Sequence, residues 1–125
     1  RGLGVQFLRH IERTRLIVHL IDMAGVGGRD PLDVFRQVNQ ELAAYSPALG
    51  VRPQVIVANK MDLPEAAAHL QAFQQAQPQP VWAISCATGA GVPALLQAIW
   101  ERLEAITPAR PASDEAGGAA SGPIG

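Results

Sequence analysis

The stretch Gln54-Val-Ile-Val-Ala-Asn-Lys-Met-Asp-Leu-Pro64 decides the fold of this chain. Its first half is a short apolar run with β-branched residues, which is typical of a parallel strand buried on both faces. Asn59, Lys60 and Asp62 follow directly, and Pro64 is placed to open a helix. Ligands of open α/β sheets bind beyond the carboxyl ends of the strands. The three polar residues are therefore predicted to lie where such a sheet binds its ligand.

The segment Asn59-Lys-Met-Asp62 has the pattern Asn-Lys-x-Asp, which resembles the guanine-reading tetrad of GTP-binding proteins. A carboxylate accepts two hydrogen bonds, and guanine offers two adjacent donors, N1–H and N2–H₂. Adenine lacks that pair, and an unpaired buried carboxylate is costly, so the discrimination can be large. The tetrad alone is a weak signal. It becomes a strong one here because it follows a predicted strand and because a matching loop, Ser85-Cys-Ala-Thr-Gly-Ala-Gly91, lies downstream.

Apolar runs before and after the central strand predict an α/β fold. Residues 16–21, 54–58 and 81–84 are expected to form three parallel strands, with helices on both faces and right-handed crossovers. Helices are predicted near residues 5–13, 31–45, 64–73 and 92–106. In the last helix, the residues predicted to face the core are Leu95, Leu96, Ile99 and Leu103.

The composition limits the class of protein. Hydrophobic residues make up 48% of the chain and charged residues 17%, which is typical of an ordinary globular domain. A formal net charge of -1 does not favour broad electrostatic capture of nucleic acid. The single cysteine cannot form an internal disulfide, and no apolar run is long enough to span a bilayer. We therefore expect a cytoplasmic protein without membrane contact.

The ends of the chain indicate its extent. Residues 1–106 carry the predicted strands and helices, whereas 107–125 are rich in Pro, Ala, Gly and Ser. Such a segment cannot bury enough apolar surface to offset its ordering entropy, so 107–125 is predicted to be a disordered tail or linker. Because Arg1 is not methionine and already leads into a helix, we expect a fragment of a longer protein.

Three features admit two interpretations each. Asp22-Met-Ala-Gly25 fits the Asp-x-x-Gly motif of GTPases, but only one helix separates it from the central strand, where that fold has a further strand and helix. Asp22 is therefore predicted to be a strand-end residue that orders the next loop. His19 is either a satisfied core residue, which we favour, or a ligand. Arg9 and Arg13 lie either on a solvated helix face, which we favour, or against an anion or RNA.

Four runs carry a wider resemblance: Gly2-Leu-Gly-Val-Gln-Phe-Leu-Arg-His-Ile-Glu-Arg-Thr14, Ile21-Asp-Met-Ala-Gly25, Gly28-Arg-Asp-Pro31 and Arg52-Pro-Gln-Val-Ile-Val-Ala-Asn-Lys-Met-Asp-Leu-Pro-Glu-Ala66. They are similar to the Obg (CgtA) family of ribosome-associated P-loop GTPases, over roughly residues 2–104. The resemblance implies the C-terminal half of a Rossmann-like GTPase domain.

The resemblance also implies a set of guanine-binding residues: Asn59, Lys60, Met61, Asp62, Ser85, Cys86 and Ala87. Asp62 would hold guanine N1 and N2, and Lys60 would lay its aliphatic stem along the base plane. Asn59 would tie neighbouring loops together. The backbone N–H of Cys86 would donate to guanine O6. The family usually has alanine at this last position, and cysteine keeps the N–H.

The resemblance implies GTP or GDP as the ligand, and Mg²⁺ in the intact parent only. No Gly-Lys-Ser or Gly-Lys-Thr occurs in the chain, so the phosphate-binding loop and the Mg²⁺ ligands are expected upstream of Arg1. We expect no catalytic residue in this fragment, which alone would be inactive. The parent would hydrolyse GTP and act on the large ribosomal subunit during its assembly.

The alternative is a non-catalytic α/β binding or scaffold module, in which the tetrad loop merely caps a strand. If the chain is instead the C-terminal half of a GTPase domain, strand 16–21 normally pairs with a strand of the half that is missing here. Its edge would then be open, and self-association through this strand is predicted.

Overall fold

A computed structural model of the protein describes residues 2–25 and 27–106. It contains one parallel sheet in the order β1-β2-β3, built from β1 (Ile17–Asp22), β2 (Gln54–Asn59) and β3 (Val81–Ala83). The helices of the described part are α1 (Val5–Ile11), α2 (Pro31–Tyr45), α3 (Pro47–Gly50), α4 (Ala66–Ala76) and α5 (Val92–Ile106). The three predicted parallel strands are confirmed. The predicted tail, 107–125, lies outside the described residues.

One face of the sheet packs against α2 and α4. Ile21 and Ile56 point to this side and form a buried cluster with Phe35 of α2 and Phe73 of α4. The two phenylalanine rings meet edge to face, with centroids 5.0 Å apart, an arrangement that aromatic pairs favour. This cluster fixes both helices on the sheet.

The opposite face packs against α5. Val55 and Val57 of β2 are buried there with Ile84 and Leu95. Because alternate residues of a strand point to opposite faces, β2 is buried on both sides, as its continuous apolar run predicts. Helices on both faces of the sheet are therefore confirmed.

Helix α5 leaves part of this second face uncovered. The β1–β2 register pairs Val18 with Val55 and Leu20 with Val57, which places both β1 residues on the α5 side. Nevertheless Val18 is 44% and Leu20 is 54% exposed. The prediction that Leu96 faces the core is wrong, since it is 60% exposed. It lies about 100° around the helix from the buried Leu95, beyond the part of α5 that contacts the sheet.

Local signals set the helix ends, and several ends differ from the predictions by two or three residues. Asp30 caps α2 by accepting a hydrogen bond from Leu32 N at 3.0 Å. The predicted end of the second helix near residue 45 is correct, but one extra turn, α3, follows it and buries Leu49 completely. Helix α4 begins at Ala66 instead of Pro64, because hydrogen-bonded turns occupy the residues between the tetrad and the helix. None of the helices in the described ranges is long and apolar enough to cross a membrane.

Candidate functional site

The tetrad loop begins where β2 ends and has a fixed backbone. Lys60 has φ +71, the left-handed region that non-glycine residues seldom adopt. The turn is closed by Leu63 N, which donates to Lys60 O at 3.0 Å, and Met61 N donates to Ile84 O at 3.1 Å. An unusual backbone conformation persists where the surrounding structure over-determines it, and such residues cluster at ligand sites. The loop is thus shaped in advance of any ligand.

The second loop places Ser85 beneath the tetrad carboxylate. Ser85 is only 2% exposed, and its Oγ donates to Asp62 Oδ1 at 2.8 Å. The same Oγ accepts from Thr88 N at 3.1 Å. The loop is closed on itself by Gly89 N, which donates to Ser85 O at 2.7 Å. Asp62 is therefore held at one oxygen, while its side chain remains exposed to solvent.

Gly91 is required where the second loop meets α5. Its φ is +79, and a Cβ there would lie 2.3 Å from Ala83 O and 3.2 Å from a methyl carbon of Ile84. Gly89 has a similar φ of +86, but a Cβ there would meet nothing within 4 Å. Both positions favour glycine for conformation, and only Gly91 also needs it for space.

Asn59 joins the ends of all three strands. Its backbone carbonyl accepts from Met23 N at 3.1 Å, and its side-chain Oδ1 accepts from Cys86 N at 3.0 Å. Asn59 therefore links the segments that follow β1 and β3 to the end of β2. The Cys86 N–H that was predicted to contact guanine O6 is already bonded to Asn59, so a base would have to share or displace this bond.

An ion pair connects the tetrad to β1. Lys60 Nζ lies 2.9 Å from Asp22 Oδ2, with the side chains 50% and 23% exposed respectively. The other carboxylate oxygen, Oδ1, accepts from Ala24 N at 2.9 Å, so Asp22 does order the loop after β1. The hydrogen bond from Lys60 lowers the pKa of Asp22 below its ordinary value, and the same bond raises the pKa of Lys60.

This ion pair was not predicted from the sequence, where Asp22 was interpreted only as a strand-end residue that orders the next loop. A signal was available, because Asp22 and Asn59 end neighbouring parallel strands and are register partners. The residue after Asn59 therefore had to begin close to Asp22. Strand ends that are adjacent in a sheet should be considered together when a site is predicted.

The structure brings most of the predicted site residues together. Asn59, Asp62, Ser85 and Cys86 are connected by the hydrogen bonds above, with Lys60 beside them and Ala87 exposed in the second loop. Met61 differs, because its side chain packs against the core cluster under α2 and α4. Only the backbone of Met61 is thus positioned to serve the site.

His19 lies in the core, away from the loops. It is 9% exposed, its ring packs against that of Phe35 with centroids 5.0 Å apart and the planes tilted by 35°, and its Nδ1 donates to Gln54 Oε1 at 3.0 Å. The Gln54 amide oxygen can only accept, which assigns the proton to Nδ1. Burial lowers the pKa of His19 below its usual 6.5. The interpretation as a satisfied core residue is confirmed.

The arrangement suits reversible binding of a planar polar group. It offers an exposed carboxylate with a fixed orientation, a lysine stem and a backbone loop held close by Asn59. Within residues 2–25 and 27–106, no group of three or more His, Cys, Asp or Glu side chains is arranged to hold a metal ion.

The chain is similar to several curated proteins that share one name, GTPase Obg. No family model matches the chain. It is 55% identical to the GTPase Obg of Roseiflexus castenholzii and 54% identical to that of Brevibacillus brevis, in both cases over 91% of this chain and 27% of the relative. The GTPase Obg of Staphylococcus aureus is 50% identical over 82% of this chain and 24% of the relative. The chain thus spans about a quarter of the length of the curated relatives that it matches.

Proposed function

We propose, from the premise that this chain belongs to the Obg family of GTPases, that its two loops bind the guanine base of GTP and GDP within a longer protein. The observation that carries the proposal is the hydrogen bond from Ser85 Oγ to Asp62 Oδ1. It joins the Asn-Lys-x-Asp loop to the second loop through the residue that would read the base.

Asp62 would select guanine. Its carboxylate has unused acceptor positions on both oxygens, and these suit the adjacent N1–H and N2–H₂ donors of guanine. Hydrogen bonds to charged groups contribute about 1.5–3 kcal/mol each. The side chain is exposed without a ligand, so the discrimination develops only when the base covers it and excludes water.

The remaining contacts would orient the base. The methylenes of Lys60 offer an apolar surface to one face of the ring, which does not require the charge of the ammonium group. The second loop would contribute a backbone N–H to guanine O6, from Cys86 after exchange with Asn59 or from the neighbouring Ala87.

The phosphate chemistry would belong to other parts of the longer protein. The chain has no Gly-Lys-Ser or Gly-Lys-Thr sequence to surround phosphates. Mg²⁺, when bound with the nucleotide, supplies charge neutralisation during phosphoryl transfer. GTP hydrolysis, a cytoplasmic location and a role in assembly of the large ribosomal subunit are proposed for that longer protein on the family resemblance. The isolated chain should not turn over GTP.

The substitution Asp62→Asn in the longer protein tests the proposal. Asparagine places an N–H₂ group against the guanine donors, so the binding free energy of GDP should become less favourable by several kcal/mol. Xanthine carries an oxygen at position 2 and would meet that N–H₂ group favourably. The preference should therefore shift from GDP toward XDP in competition binding.

Asp33→Asn is a matched control, because Asp33 is an exposed carboxylate on α2, distant in sequence from both loops. It should leave the preference unchanged. If Asp62→Asn keeps the preference for guanine, the tetrad assignment is wrong, and a scaffold role for the loop becomes the better explanation.

A further inference from the structure

We infer that Asp22 is a positioning residue for nucleotide binding: its ion pair with Lys60 sets the direction of the lysine stem on which the base would lie. The inference rests on the proposed function. It assigns to Asp22 an effect on affinity that is the same for guanine and xanthine, because the stem contacts the ring face and not the edge that distinguishes them.

Both partners of the ion pair are held by other bonds. Asp22 Oδ2 lies 2.9 Å from Lys60 Nζ, while Oδ1 accepts from Ala24 N at 2.9 Å. The backbone of Asp22 is fixed as well, since it ends β1 and its carbonyl accepts from Gly25 N at 3.1 Å. The carboxylate therefore presents one oxygen to the lysine in a fixed place.

The lysine is also fixed at its backbone. Lys60 sits in the left-handed region, and its carbonyl accepts from Leu63 N. With the Cα held by this turn and the Nζ held by Asp22, the methylenes between them have few conformations. A lysine otherwise loses considerable rotamer freedom when it is ordered by a ligand. Ordering it beforehand removes that cost from binding.

Asp22→Asn removes the negative charge of Asp22 and keeps the hydrogen bond that orders the loop after β1. Asparagine keeps an Oδ1 acceptor for Ala24 N but turns an N–H₂ group toward the ammonium. Exposed ion pairs have small effects, so GDP affinity of the longer protein should fall about two- to five-fold. XDP affinity should fall by the same factor, and Asp22→Glu should recover part of the loss. Asp33→Asn again serves as the control and should leave affinity unchanged.

A double-mutant cycle decides whether Asp22 acts through Lys60. The Lys60→Ala variant should bind GDP more weakly, and adding Asp22→Asn to it should cause no further loss. Independent, multiplicative losses would overturn the inference, as would a loss for Asp22→Asn alone that merely follows a lower Tm. The Asp62→Asn switch toward XDP tests the proposed function separately. If Asp22→Asn lowers GDP affinity independently of Lys60 while Asp62→Asn still shifts the preference toward XDP, only the positioning role of Asp22 is refuted.

Discussion

The pair of glycines in the second loop allows a sharp test of how this loop is packed. Gly89 and Gly91 have similar positive φ values, +86 and +79, and lie two residues apart. An alanine at either position must adopt a backbone conformation that costs about 1–2 kcal/mol. Part of this is offset because alanine lowers the entropy of the unfolded chain, by about 0.4–1 kcal/mol. Gly89→Ala should therefore reduce the free energy of unfolding by about 1 kcal/mol.

Gly91→Ala should cost more, because its Cβ would lie 2.3 Å from Ala83 O and 3.3 Å from Ile84 Cα. These are backbone atoms at the end of β3 and directly after it, and they cannot rotate away as a flexible side chain could. Overpacking of this kind adds about 1–3 kcal/mol. The total loss for Gly91→Ala is therefore about 2–4 kcal/mol, well above that for Gly89→Ala.

Urea unfolding followed by tryptophan fluorescence measures both losses. Trp82 and Trp100 lie on β3 and α5, the two elements that the loop joins. Near Tm, each kcal/mol corresponds to about 4–8 °C for a domain of this size, so the two variants should also separate clearly in thermal melts. Equal destabilisation of both variants would show that the close approach of Gly91 to β3 is not a feature of the molecule.

The other predictions concern the core, the open face and the ligand. His19→Gln should remove a pH dependence of stability. Because the pKa of His19 is lowered in the folded state, the wild-type free energy of unfolding is full above the usual pKa of 6.5 and falls below it, where the unfolded state takes up a proton. If the variant keeps the same pH dependence, a group other than His19 causes it. Ser85→Ala should lower the free energy of unfolding in urea by roughly 1–2 kcal/mol, because the hydrogen bond to the charged Asp62 is lost. An unchanged urea midpoint would contradict that hydrogen bond. The chain should self-associate in sedimentation velocity, and Val18→Lys with Leu20→Lys should make it monomeric; a wild-type monomer at high concentration would refute this. Calorimetry should show GDP binding to the 125-residue chain weaker than micromolar, since the base contacts alone are few; tighter binding would contradict the assignment of the phosphate contacts to other segments.

The parts of the fold that were predictable are those with short-range signals. The central strand was recognised because burial on both faces requires a continuous apolar run, and β2 has one. The cap at Asp30 depends only on residues next to it. The two loops followed from motif spacing, and their predicted residues do come together around Asn59 and Ser85.

Other features depend on which elements cover one another, and sequence periodicity does not contain that information. Phe7 and Leu96 both fit a helical apolar stripe but are largely exposed, because no neighbouring element of the described chain covers them. Helix α3 is a single turn whose buried Leu49 completes a cluster with Leu8 and Leu42. The Asp22–Lys60 pair joins residues 38 apart in sequence through strand order alone.

The position of Asn59 between two loops has a consequence for the cost of ordering them. Because one residue holds Met23 with its main chain and Cys86 with its side chain, the segments after β1, β2 and β3 cannot loosen independently. A ligand that orders one segment therefore causes little additional loss of conformational entropy in the other two. Amide hydrogen exchange should accordingly slow in all three segments together when any one of them is occupied. A substitution at Asn59 keeps the main-chain bond to Met23 but removes the side-chain bond to Cys86, so it should weaken the coupling of the segment after β3 to the other two.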